Sequence, residues 1–128
     1  MSETQETSVP DTLINLRARL AEFAAQRDWD QFHSPKNLAM ALIAEAAELV
    51  EHFQWLSAEQ SQRLPAKKLA EVRLELADIF IYLIRIADKL DVDLVSAAID
   101  KIAINEQRYP VDRVRGDARR AEEYPTGE

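Results

Sequence analysis

Apolar residues recur along this chain at helical spacing. Leu13, Leu16, Leu20, Phe23 and Ala24 follow close to a 3.6-residue repeat. They predict a first helix, capped by Asp11 or Thr12 and fading near Arg27 and Asp28. The segment Trp29–His33 then reads as a connection holding two aromatics. Ser34-Pro35 is a helix start, a hydroxyl N-cap followed by proline at the first helical position. Leu38, Ala41, Leu42, Leu49 and Phe53 carry this second helix from Pro35 to Gln54. Ser57 and Gln60 fit a capping box, opening a short turn that Leu64-Pro65 ends. A third long helix is expected from Ala66 to Lys89. A fourth starts at Asp91 or Asp93 and lasts to Tyr109, where Pro110 stops it.

The pattern makes the fold class all-α, of the four-helix-bundle type. Residues 1–10 are polar and aperiodic and are expected to be disordered. Residues 11–110 form the domain, and residues 111–128, with Arg113, Arg115, Arg119 and Arg120, are expected to be an irregular or flexible tail. Composition agrees with helices. Only two glycines occur in 128 residues, too few for a sheet protein with its glycine-bearing hairpins. The formal net charge of −7 argues against a non-specific electrostatic grip on a nucleic-acid polymer, yet leaves room for a polyanionic small molecule if metal ions neutralise both sides. The chain has no cysteine, which excludes disulfides, zinc–thiolate sites and thiol nucleophiles. No apolar run approaches the roughly 20 residues needed to span a bilayer, so no membrane contact is expected and the cytoplasm is the expected compartment.

Two acids sit where a core would not place them. From Leu76 to Ala87 the third long helix is apolar almost all round, so most of its faces should be buried. Asp78 lies inside that stretch, and an unpaired buried carboxylate is costly. Glu75 stands three residues earlier, on the same helical face. The second helix repeats the arrangement in Glu45 and Glu48, with small alanines between them. Two such pairs on neighbouring antiparallel helices would converge four carboxylates on one point. That close they repel unless a divalent cation lies between them, and all-oxygen ligation suits magnesium, with manganese as a substitute. Solvated acids on amphipathic helices are the plain alternative for either pair alone. Glu51 continues the three-residue spacing but is rotated further round, as a general base, a supporting group or an exposed acid.

An ExxE pair followed about 26 residues later by ExxD resembles the all-α nucleoside triphosphate pyrophosphatases, the MazG-like superfamily. The stretches Ala21–His33, Phe53-Gln54-Trp55, Ile81-Tyr82-Leu83 and Asn105–Pro110 resemble its dCTP pyrophosphatase group in particular. The resemblance covers roughly residues 12 to 115. It implies hydrolysis between the α and β phosphates of a nucleotide, giving a monophosphate and pyrophosphate. Glu45, Glu48, Glu75 and Asp78 would hold magnesium against the phosphates, and Glu48 or Glu51 would accept the proton of the attacking water. Lys101, Asn105, Arg108 and Tyr109 are assigned to the triphosphate and sugar. Lys101, Asn105 and Arg108 also recur at helix spacing, though cations in a last turn can simply complement the helix dipole. Lys89 is a candidate for a phosphate contact from a neighbouring subunit.

In the resembled group, aromatics at Trp29 and Trp55 sandwich the pyrimidine base, and stacking contributes about 1–3 kcal/mol per base. Without the resemblance, both would simply seal helix ends. Tyr82, one turn past Asp78, is a pocket wall or core residue. Leu20 stands where the group carries a base-contacting histidine, and Ala103 where it carries an acid. These departures bear on cytosine selectivity and on sugar or metal contacts. His33 remains as a pocket candidate or as a local hydrogen-bonding residue of its loop, and His52, beside Glu51, has the same standing.

Three rivals follow. One is a broader pyrophosphatase acting on dUTP, modified dCTP or several nucleotides. A di-iron carboxylate bundle needs Glu-x-x-His pairs, and neither His33 nor His52 lies three residues after an acid. A non-catalytic interaction bundle would be indifferent to magnesium. Because a helix apolar on nearly every side is hard to bury in one small bundle, self-association as a dimer or tetramer is expected.

Overall fold

The computed structural model describes residues 12–123. The segment 1–10, expected to be disordered, and residues 124–128 of the expected tail lie outside the described residues. Among those described there are helices and turns but no strand. The helices are α1 (Leu13–Gln26), α2 (Pro35–Glu51), α3 (Ala58–Ser61), α4 (Ala66–Lys89), α5 (Leu94–Arg108) and α6 (Val111–Val114). Short 3-10 turns occur at Asp30–Phe32 and Ala121–Glu123. The stretch expected to be an irregular tail thus holds one helical turn and one 3-10 turn within its described part. None of the helices is long and apolar enough to cross a membrane. The chain divides into two compact units between Val92 and Asp93.

Local chemistry sets the boundaries. The Thr12 hydroxyl accepts from the Asn15 amide at 3.2 Å, and the Ser34 hydroxyl accepts from the Asn37 amide at 3.1 Å, each satisfying an amide that the first helical turn leaves open. Ser57 and Gln60 form a reciprocal capping box. Asp93 is the N-cap of α5, accepting from the Ser96 amide at 3.0 Å. α2 is regular only to Glu51 rather than Gln54, because bonds of 3-10 type from the His52 and Phe53 amides tighten its end.

The ends of α1 and α4 use one device without glycine. Asp28 and Asp91 take φ +55° and +56°, the left-handed region that aspartate tolerates better than most side chains. The Trp29 amide then donates to the Ala24 carbonyl at 2.9 Å, and the Val92 amide to the Ala87 carbonyl at 2.8 Å. Both are Schellman closures. The first fixes the direction in which the chain delivers Trp29.

In the first unit, α2 and α1 both pack on α4. Ala24, Leu38, Val72, Ile84 and Ala87 are its buried apolar residues. The expectation that α4 is buried on most faces from Leu76 to Ala87 does not hold for one chain. Leu69, Leu76, Leu83 and Leu90 recur every seven residues with Phe80 between them, and all five are exposed. The reason is geometric: α1 and α2 cover only part of the helix, and this heptad-spaced stripe is left largely open, with Phe80 at its edge lining a cavity beside Leu16, Leu20 and Phe23 of α1.

In the second unit, the Arg108 guanidinium bonds Glu122 at 3.1 Å, and the Tyr109 hydroxyl accepts from the Ala121 amide at 3.0 Å. These contacts tie the C-terminal 3-10 turn to the end of α5.

Candidate functional site

The pairing of α2 with α4 sets the register of the acids. His52 faces Lys68 and Glu71, Glu48 acts on Glu75, and Glu45 acts on Asp78. Residue numbers fall on one helix as they rise on the other, so the helices run antiparallel. This register brings Glu45, Glu48 and Glu75 together, each offering a carboxylate oxygen within 4.8 Å of the others. Glu45 and Glu75 are half-buried and Glu48 is exposed.

The cluster is electrostatically uncomfortable. Partial desolvation, followed by the charges of Glu48, Asp78 and Glu75, pushes the Glu45 carboxyl above its usual range. Glu75 is also raised, first by desolvation and then by the charge of Glu48 and a hydrogen bond with it, with His52 opposing. Every charge acting on Glu45 is another acid. The donor set, all carboxylate oxygen with no nitrogen or sulfur in the group, is the chemistry of a hard divalent cation.

Asp78 stands at the boundary of two features. It bears on Glu45 by charge and through a shared hydrogen bond, while outside the trio of mutually close acids. Asp78 also lines a cavity of about 230 Å³ with Leu20, Phe23, Ala24, Trp29, His33, Ile81, Tyr82 and Arg85. The cavity is mostly apolar and aromatic. The rings of Phe23 and Trp29 meet edge to face at 5.6 Å, and Trp29 and His33 lie 6.1 Å apart. A flat heteroaromatic ring fits such walls. A second, more open cavity of about 450 Å³ lies on the other side of the acids, lined by Glu48, Glu51, His52, Lys68, Glu71, Leu74 and Glu75.

Other candidates fall elsewhere. Trp55 is 86% exposed and is not part of the aromatic cavity's lining. Lys89 is engaged within its own chain, 2.9 Å from the Asp30 carboxylate. In the second unit, Lys101 is exposed and Asn105 half-buried on α5, with Arg108 and Tyr109 held as described above.

Sequence reasoning passed over Arg85. It is only 4% exposed, 2.9 Å from Asp30 and 3.5 Å from Asp88. The signal was available, since Arg85 is a charge inside the apolar run that drew attention to Asp78. Asp30 was missed as well. Lys89, with Arg85 assisting, holds its carboxyl below the usual range against partial desolvation.

Residues 41–123 match the profile of the MazG-like family. The chain belongs to the MazG-like family. Its relatives include mouse dCTP pyrophosphatase 1, 47% identical over 118 residues, which span 91% of this chain and 69% of that protein. Human dCTP pyrophosphatase 1 is 42% identical over the same length, with the same coverage. Among solved structures, a pyrophosphatase from Archaeoglobus fulgidus superposes with a TM-score of 0.74 at 34% identity, covering 83% of this chain and 99% of that one. The all-α architecture and the family expected from the paired acids are therefore those of this MazG-like chain.

Proposed function

We propose that this MazG-like chain is a magnesium-dependent nucleotide pyrophosphohydrolase, cleaving a nucleoside triphosphate to the monophosphate and pyrophosphate, with dCTP or a modified dCTP preferred. One observation carries the reading: Asp78 acts on the carboxylate cluster and also lines the aromatic cavity. Phosphate chemistry and base binding thus share a residue. The names of the relatives support the same substrate class.

Glu45, Glu48, Glu75 and Asp78 would hold magnesium, or manganese in its place. The repulsion among these acids is what a divalent ion relieves. When bound, such an ion neutralises charge on the phosphate oxygens and makes water a better nucleophile. The chain supplies the rest. Glu48 or Glu51 accepts the proton of the attacking water, the α–β bridging bond breaks, and pyrophosphate leaves. Trp29 and Tyr82 stack against the base, His33 bonds its edge, and exposed Trp55 offers a second stacking face. Lys101, Asn105, Arg108 and Tyr109 take the triphosphate and sugar, with Arg108 exchanging Glu122 for phosphate. Lys89 would have to leave Asp30 to reach a neighbouring subunit's substrate.

The exposed heptad stripe of α4 supports self-association as a dimer or tetramer. The net negative charge and a nucleotide substrate fit a cytoplasmic enzyme without nucleic-acid or membrane partners.

A second reading, broader action that includes dUTP or several nucleotides, is favoured by Leu20, which leaves part of the cavity wall apolar. The test is a nucleotide panel with and without magnesium, following monophosphate and pyrophosphate by 31P NMR. Release from dCTP above all others supports the first reading, and comparable release from several supports the second. No pyrophosphate from any nucleotide would overturn both.

A further inference from the structure

Arg85 is held in an unusual way for a buried charge. Its Nη2 lies 2.9 Å from Asp30 Oδ1 and 3.3 Å from His33 Nδ1, and its Nη1 lies 3.5 Å from Asp88. Its Nε is buried and has no hydrogen-bond partner among the described residues. Burying a guanidinium is expensive even when it is paired, and an orphaned donor adds to the cost. An apolar side chain would fill this place on α4 more stably, so packing does not explain the arginine. Its position does: Arg85 lines the aromatic cavity together with Trp29, His33, Tyr82 and Asp78.

A guanidinium has donors only. The His33 Nδ1 that faces it must therefore be the unprotonated, accepting nitrogen, and a neutral imidazole then carries its proton on Nε2. Desolvation, followed by the charge of Arg85, lowers the His33 pKa and keeps the ring neutral. Asp30 lies one residue past Trp29, and the bond from Arg85 to Asp30 fastens the whole turn to α4.

We propose that Arg85 is a positioning residue for nucleobase recognition: it fixes His33 as the Nε2–H tautomer and, through Asp30, holds the Trp29–His33 turn against α4. The cavity then offers a fixed donor to an acceptor on the edge of a base, such as a pyrimidine carbonyl. This role rests on the aromatic cavity being the base pocket.

The chain has two histidines, so long-range 1H–15N spectra of the full protein at neutral pH can be assigned with one His52→Gln variant. The expected result is a bare Nδ1 and a protonated Nε2 on His33. Arg85→Met, which fills the same space without a donor, should give a mixture of tautomers. Its KM for the preferred nucleotide should rise about three- to tenfold, the worth of one hydrogen bond, with kcat changed less than about twofold. His33→Ala should do the same, and the double variant should be no worse than either single one. Where Arg85→Met loses the fold by circular dichroism, Arg85→Gln takes its place, because an amide both donates and accepts and so no longer forces one tautomer, with changes in the same direction.

A protonated Nδ1 in the wild type, an unchanged tautomer in the Arg85 variant, or additive effects in the double variant would overturn the proposal. If the wild type hydrolyses no nucleotide, the base-pocket role falls with the proposed function. The NMR measurement still decides separately whether Arg85 sets the His33 tautomer.

Discussion

Glu45 on α2 and Glu75 on α4 bring carboxylate oxygens within 4.8 Å of each other, with Glu48 completing the group. Both are raised above the usual carboxylate range, with desolvation the largest cause and neighbouring acids adding to it. A folded state that holds such acids apart from any counter-ion is less stable than it would be with one of them neutral. Glu75→Gln should therefore raise the melting temperature of the metal-free protein. Magnesium at roughly a hundred times its Kd should raise that of the wild type by several degrees and add little to the variant. Differential scanning fluorimetry checks both, and identical melting with and without magnesium in the wild type would remove the metal from this site.

The general base can be separated from the ligands by setting kcat beside the magnesium-induced rise in melting temperature. Glu48 belongs to the close trio, whereas Glu51 lines only the open cavity beside it. If Glu51 is the base, Glu51→Gln should lower kcat by about 10²–10⁴ while leaving the magnesium-induced rise in melting temperature intact. Glu48→Gln should then lose both. An active Glu51→Gln enzyme would pass the role to Glu48. Asp78→Asn should lose activity in either case, with its helical circular dichroism unchanged.

Local features were the most legible. The starts at Ser34-Pro35 and at Ser57 with Gln60 are written in consecutive residues, because caps are short-range chemistry. The first and third long helices were expected to stop near Asp28 and at Lys89, as they do. The Schellman ends at Asp28 and Asp91 lack the usual glycine, however, so the residue types did not announce the left-handed turn that delivers Trp29 or Val92. The paired acids were legible because helical periodicity alone puts Glu45 with Glu48 and Glu75 with Asp78. How far Asp78 leans toward the aromatic cavity depends on helix register and rotamer, which spacing does not encode. Arg85 escaped notice for a different reason. A long cationic side chain in an apolar run ordinarily carries its charge out to water, and only packing against the Asp30 turn keeps this one in. The apolar excess of α4 was visible, but which of its residues form the uncovered stripe required knowing where α1 and α2 lie.

That stripe supports the next expectation. Leu76, Phe80 and Leu83 share one face of α4 and are all exposed in the single chain, a patch that monomeric proteins rarely leave open to water. The wild type should scatter light as a dimer or tetramer at micromolar concentration. Phe80→Glu places a charge in the middle of the stripe, which a dry interface cannot accommodate, and should shift the species toward the monomer with its helix content retained. A wild-type monomer would count against self-association.

The pH dependence of stability distinguishes the two sides of the Arg85 cluster. The folded-state pKa of His33 is lowered from 6.5 by desolvation first and by Arg85 next, so on acidification the unfolded chain takes up this proton before the folded one does. The His33 contribution is then fully present above pH 6.5 and is lost as pH falls through the lower folded value. Asp30, lowered from 3.8 chiefly by its bond to Lys89, follows the same sign at a lower pH. Its contribution is present above 3.8 and is lost as pH falls through its own folded value. The raised acids Glu45 and Glu75 run the other way, destabilising as pH climbs above their ordinary value of 4.5. They cancel when wild type and His33→Gln are compared at each pH. Melting curves from about pH 7.5 down to about pH 5 should therefore show the wild type losing ground to His33→Gln as the solution acidifies. Curves that stay parallel across that range would mean that His33 titrates alike in the folded and unfolded chains.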